Sequence, residues 1–147
     1  MNYQLRKPKA EDAEALATIR VKAMKPSLEA IGRFDEDRAR RRILDSFDPN
    51  TTSEILVEEE RVGFLVIRRL ENHFYLDHLY ISPKHQGKGL GSAVLRQLID
   101  EANVASLPIR LGALKFSPSN RFYASHGFCL EREEEWDNYY VLQPSKA

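Results

Sequence analysis

The chain has little cysteine: one residue, Cys129, among 147. A single thiol excludes an internal disulfide framework and a cysteine-rich zinc site. Standing before a charged stretch, it reads as a small apolar core residue. Long apolar runs are also missing. None approaches the roughly 20 residues that cross a bilayer. The opening stretch, MNYQLRKPKAEDAEALATIR, lacks the continuous apolar segment of a secretory leader. The expectation is a cytoplasmic protein without a membrane partner. Net charge is absent too: 22 Lys and Arg balance 22 Asp and Glu. That gives no bulk attraction to nucleic acid or anionic lipid. The run Arg38 to Arg42 is flanked by the acids Glu36, Asp37 and Asp45 and unaccompanied by aromatics, so it reads as a solvated helix face rather than a nucleic-acid patch. No second His or Cys stands at ligand spacing from His78, and no metal site is expected. Repeats and low-complexity linkers are missing as well, so the length predicts one domain over residues 1–147.

What is present is a regular succession of short elements. YQLRK is a strand ended by Pro8, and residues 11–24 form a helix with Glu11 and Asp12 in its first turn. Pro26 and Gly32 break the next stretch into loop or short helix. Asp35 caps a helix over 36–47, with Ala39, Ile43, Leu44 and Phe47 as its buried stripe. DPNTTS is a loop. EILVEE and RVGFLVIRR pair around a turn near Glu59–Arg61, NHFYLDHLYI follows as a strand ended by Pro83, and 89–105 is a long amphipathic helix. IRLGAL is a buried strand. In SPSNRFYASH a short helix has Ser117 as cap and Pro118 first, closed by Gly127; FCLERE and NYYVLQ are the last strands. The order predicts an α/β fold: a mixed, mostly antiparallel central sheet of about seven strands with helices on both faces.

The stretch SPKHQGKGLGS, residues 82–92, packs Gly87, Gly89 and Gly91 between a strand and a helix. Loop amides and a helix N-terminus together make an anion site. The mononucleotide P-loop pattern fails, with Ser82 where its first Gly belongs and Gly89 where Ser or Thr belongs. The dinucleotide fingerprint is one position out of register and lacks its downstream acid. The pattern Gln/Arg-x-x-Gly-x-Gly/Ala fits, through Gln86, Gly89 and Gly91. It resembles the acyl-CoA-binding motif of the GCN5-related N-acetyltransferases. LYISP before the loop, RFYASHGF about 35 residues on, and the element order over residues 3–142 resemble the same family.

The resemblance implies an acyl-CoA N-acyltransferase fold and an acetyl-CoA-dependent N-acetyltransferase, with a non-catalytic acyl-CoA-binding module as the alternative. It implies a bulged strand whose amides at Leu79, Tyr80 and Ile81 hold the acetyl carbonyl and pantetheine arm. Such amides stabilise an oxyanion. Gln86, Gly87, Lys88, Gly89, Leu90, Gly91 and Ser92 would cradle the pyrophosphate of coenzyme A. Tyr123 resembles the general acid that protonates the leaving thiolate. The family's pantetheine-binding Asn is replaced by Ser117, and Asn120 stands one turn before Tyr123 as a candidate substitute. An amine of pKa about 10.4 must lose a proton before attack. Asp77 and His78 are the candidate bases or water relay. The acceptor pocket would draw on Met24, Phe34, Trp136 and Tyr139. The acceptor is a small-molecule or peptide amine of unspecified identity, and the resemblance admits a homodimer.

Overall fold

The computed structural model describes residues 2–145; Met1, Lys146 and Ala147, the ends of the expected domain, lie outside the described residues. Its strands are β1 (Gln4–Arg6), β2 (Thr52–Val57), β3 (Glu60–Arg69), β4 (Phe74–Ile81), β5 (Ile109–Leu114), β6 (Cys129–Glu133) and β7 (Asp137–Leu142). Its helices are α1 (Ala13–Ala30), α2 (Glu36–Leu44), α3 (Leu90–Ala105) and α4 (Ser119–Ser125). The strands form one seven-stranded sheet in the order β1-β2-β3-β4-β5-β7-β6. β4 and β5 run parallel through Phe74–Leu76 and Ile109–Leu111, while β5 and β6 each pair antiparallel with β7. The expected mixed, mostly antiparallel sheet flanked by helices is therefore present.

The chain divides into two compact units, one of residues 1–66 and 78–93, the other of 67–77 and 94–147. In the first, α1 and α2 bury Leu16, Ala17 and Ile43 against Phe64, with Tyr80 packed beside them. Asp35 caps α2 as expected, its carboxylate accepting the Arg38 N–H at 3.0 Å. The helix stops at Leu44, short of the predicted 47, but Leu44 and Phe47 still pack on this core. Glu54, fully buried in β2, is held by Arg6 at 3.0 Å and Arg61 at 2.6 Å. A buried carboxylate requires such partners.

Three local readings change. α1 runs through Pro26 to Ala30. Pro26 and Lys22 are both exposed, so water is available to the Lys22 carbonyl that proline leaves without a donor. The stop is Gly32, at φ 69°, where Arg33 N–H closes onto the Leu28 carbonyl at 2.9 Å. β2 begins at Thr52, inside the predicted loop. The hairpin turns at Glu58 and Glu59, φ 50° and 64°, rather than at Glu59–Arg61. Both central residues of a two-residue turn of this hand take positive φ, here without glycine or asparagine.

In the second unit, α3 buries Val94, Leu95, Leu98 and Ala102, and the sheet buries Ile109, Leu111, Ala113 and Tyr140. β5 occupies its predicted bounds. Cys129 is exposed, not core. It lies on β6, the end strand of the sheet, all of whose residues are exposed; Phe128 takes the buried position instead.

Candidate active site

The glycine-rich loop lies where the sequence puts it, between β4 and the first turn of α3. After β4 a turn at Pro83–His85 follows, and Gln86 Nε2 donates back to the Ile81 carbonyl at 2.8 Å. This bond ties the loop to the strand end through a side chain and leaves the backbone to face outward contacts. Gly87 and Gly89 take φ of 77° and 82°, which L side chains rarely adopt. A Cβ built on Gly87 meets nothing within 4 Å. The loop glycine therefore serves backbone conformation, not protein packing. Gly89 carbonyl accepts the Ala93 N–H at 3.0 Å, so Gly89 stands as the cap of α3 and the N–H groups of the first helical turn are directed toward the loop. A 16-residue helix brings roughly half a positive charge to that end. The donor set, backbone amides at a positive helix end, fits a phosphate-bearing group such as coenzyme A. Lys88 is exposed on the same loop.

The half of β4 that leads into the loop differs from its start. Phe74 and Leu76 are buried in alternation, but Asp77 to Ile81 are all half-buried. Loss of alternation is what a strand with ligand-facing backbone would show. Tyr80 packs its ring on Phe64, centroids 5.4 Å apart. Its hydroxyl accepts from Arg20 Nε at 3.1 Å, and His78 Nδ1 lies 2.8 Å away. Opposite, Gly63 in β3 approaches so closely that a Cβ there would stand 2.3 Å from the Tyr80 carbonyl oxygen. Gly63 is a residue the sequence reading passed over. Its signal was an isolated glycine inside a strand pattern, which marks a close backbone approach. Met24, within α1, and Phe34, beyond it, are half-buried, with Lys25 Nζ 5.4 Å from the Phe34 ring centre.

In the second unit Tyr123 is buried on α4, its ring stacked edge-on between Phe122 at 5.2 Å and Phe128 at 5.6 Å. The expected serine cap of α4 is not formed. Pro118 occupies the cap position, and buried Ser117 donates its hydroxyl to the Leu114 carbonyl at 2.7 Å. Asn120 is committed on both sides of its amide. Nδ2 donates to the carbonyls of Leu114 at 2.9 Å and Ser117 at 3.0 Å, and Oδ1 accepts from Asn138 at 3.0 Å and Tyr140 at 2.8 Å. The two residues proposed for the pantetheine arm thus fasten β5, α4 and β7 together. Between Leu114 and Ser117 the chain passes through Phe116, at φ 66° and 88% exposed.

Asp77 accepts from the Arg68 guanidinium through both oxygens, at 2.6 and 3.3 Å. Arg68 also lies 5.0 Å from the Tyr75 ring centre, and burial, with the carboxylate of Asp77 and the neighbouring Tyr139, pushes the Tyr75 hydroxyl above its ordinary pKa. Tyr139 lies across Gly112, 2.9 Å from a Cβ built there, under the Arg132 guanidinium at 4.1 Å. Trp136 is 39% exposed, its carbonyl accepting the Lys115 N–H at 2.8 Å. Among the described residues no group of three His, Cys, Asp or Glu is placed to hold a metal ion. No described helix is long and apolar enough to cross a membrane.

A family model described as "Acetyltransferase (GNAT) domain" matches residues 51–129, more than half of the chain. No curated protein matches the sequence. The fold is similar to that of the PaiA N-acetyltransferase from Thermoplasma acidophilum in complex with coenzyme A, at TM-score 0.79 and 18% identity over 97% of this chain and 99% of that one. It is also similar to an acetyltransferase from Thermus thermophilus, at TM-score 0.75 and 19% identity over 97% of each chain. The ribosomal-protein-S18-alanine N-acetyltransferase from Escherichia coli gives TM-score 0.73 and 18% identity, covering 99% of this chain and 96% of that one.

Proposed function

Because the chain belongs to the GNAT family of acetyltransferases, we propose that residues 1–147 act as one N-acetyltransferase domain that moves an acetyl group from acetyl-CoA to a primary amine. The observation that carries this reading is the loop at 86–92, with Gly87 and Gly89 at positive φ ahead of α3. Bound there, acetyl-CoA supplies an activated thioester. The amides of Gly87 to Ser92 hold its pyrophosphate. The amides of Leu79 to Ile81 donate toward the acetyl carbonyl, where negative charge grows as the amine attacks. Tyr123 gives its hydroxyl proton to the departing sulfur. The amine nitrogen loses its own proton to water or to a side chain of the site, so protons balance without a covalent enzyme adduct.

The supports for Tyr123 are its place on α4, four residues before Gly127-Phe128, and the family pattern it matches there. The supports for the acceptor residues Met24, Phe34, Asp77, His78, Trp136 and Tyr139 are the same kind of match, and the acceptor class stays a small or peptide amine. The cytoplasm is the proposed compartment, and a homodimer is compatible with the reading.

The test is thermal stabilisation by acetyl-CoA, followed by a thiol-release assay over a panel of amines. The expected result is stabilisation, with release for at least one amine. Stabilisation with no release against any amine would identify an acyl-CoA-binding module instead. Tyr123→Phe is expected to lower kcat about 100-fold with acetyl-CoA affinity kept. An unchanged kcat at saturating substrate would remove the general-acid role.

A further inference from the structure

Among the described residues two aromatic side chains stand exposed, Phe116 at 88% and Trp136 at 39%. The sheet brings their backbones together. β5 and β7 pair as far as Leu114 and Asp137. One step further the Lys115 N–H donates to the Trp136 carbonyl at 2.8 Å. Phe116 is the next residue, so both rings stem from one end of the same strand pair. Phe116 is held there against its own preference. Its φ is 66°, which a bulky L residue rarely takes. Three donors on the Leu114 carbonyl fix the turn: the Ser117 N–H at 3.2 Å, the Ser117 hydroxyl at 2.7 Å and Asn120 Nδ2 at 2.9 Å. Strain that surrounding bonds maintain collects where a protein meets a ligand. The same turn leads into α4, which carries Tyr123.

The charge beside the rings is negative. Glu133, Glu134, Glu135 and Asp137 flank Trp136, in a turn closed by the Glu134 N–H on the Asp137 carbonyl at 2.8 Å. Glu134 lies 3.4 Å from Arg132, and the other three carboxylates have no ion pair among the described residues. Four carboxylates against Arg132 and Lys115 leave the turn net negative. Acids alone would make a solvated turn. Two exposed rings beside them make a different surface. An ammonium is drawn both to a ring face and to the carboxylates, and its methylene stem packs on the rings. An anion meets repulsion there. We propose that Phe116 and Trp136, with the carboxylates of the β6–β7 turn, form a subsite for an alkylammonium group, a second positive charge that the acceptor carries besides the amine to be acetylated. The acceptor class is then an aliphatic diamine or a lysine-bearing peptide, with Phe116 a specificity-determining residue. That the group belongs to an acceptor rests on the acetyltransferase reading; that it binds at this turn does not.

Trp136 is the one tryptophan of the chain, so its fluorescence reports on this turn. The full chain is titrated with 1,5-diaminopentane, trilysine and glutarate. The emission is expected to change saturably with at least one of the two cations and not with glutarate. A response to 1,5-diaminopentane alone identifies a small amine, and a response to trilysine alone a peptide. Phe116→Ala removes an exposed ring and leaves the core intact; it should weaken binding about 5-fold. Added salt should weaken it as well. No saturable change with either cation overturns the proposal, as does an equal response to glutarate or an affinity unmoved by Phe116→Ala. In the thiol-release assay the cation that binds should exceed n-pentylamine about 5-fold in kcat/KM per amino group. That ratio should fall toward one in Phe116→Ala. A ratio of one in the wild type, with both compounds acetylated, removes the subsite and leaves the acetyltransferase reading. A saturable Trp136 response without acetylation of any amine removes that reading and leaves the subsite.

Discussion

At Gly63 an added Cβ would stand 2.3 Å from the Tyr80 carbonyl oxygen; at Gly87 it would meet nothing within 4 Å. The two glycines lie within one compact unit, one isolated in a strand and one in a glycine-rich loop. The first is required by the protein itself, because two strands approach closely there. The second is required by backbone conformation, at φ 77°, beside open space. Gly32, at φ 69°, shares that open space and serves only to end α1. What sets Gly87 apart is its place in the loop ahead of α3, where backbone amides at a helix N-terminus suit an anion.

The comparison can be broken by substitution. Gly63→Ala is expected to cost the most, about 3 kcal/mol of stability in urea unfolding, because a backbone oxygen cannot yield as a side chain can. A loss near zero would mean that β3 and β4 separate freely. Gly87→Ala is expected to cost roughly 1 kcal/mol through its left-handed conformation. It should also weaken coenzyme A binding about 10-fold, a loss of phosphate contacts that stability alone does not predict. Equal effects of the two variants on binding, after correction for unfolding, would erase the distinction. Phe116→Gly is expected to raise stability by up to about 1 kcal/mol, since Phe116 holds φ 66° while exposed. A fall in coenzyme A affinity in this variant would place Phe116 in the ligand site. The smallest effect concerns acid. The Lys9 amide and Arg61 hold the Asp12 carboxyl below its ordinary pKa. Its contribution is present above about pH 4 and lost as pH falls through the lowered value. Thermal unfolding of wild type and Asp12→Asn should therefore converge below that pH; a gap that widened on acidification would contradict the sign.

The loop was legible because its residues are chosen for one local need. Three glycines and Gln86 between a strand and a helix carry their reason in the sequence, and β5, a short apolar run after Pro108, did the same. Features that depend on partners far along the chain were not legible. Pro26 continues α1 because its face is wet, a fact no local pattern holds. Asn120 is used by Asn138 and Tyr140, which follows from where β7 arrives. Cys129 is exposed because β6 ends the sheet. Glu58 and Glu59 make a turn that glycine or asparagine would normally announce. His78 and Tyr80 read as separate strand residues until Arg20, 60 positions from Tyr80, joins them.

The central claim is that the loop at 86–92 holds the pyrophosphate of an acyl-CoA. The most direct measurement compares thermal stabilisation by coenzyme A with that by S-acetylpantetheine, which keeps the thioester arm and lacks the pyrophosphate. Coenzyme A should raise the unfolding temperature while S-acetylpantetheine at the same concentration leaves it nearly unchanged. Equal stabilisation by both, or none by either, would contradict it.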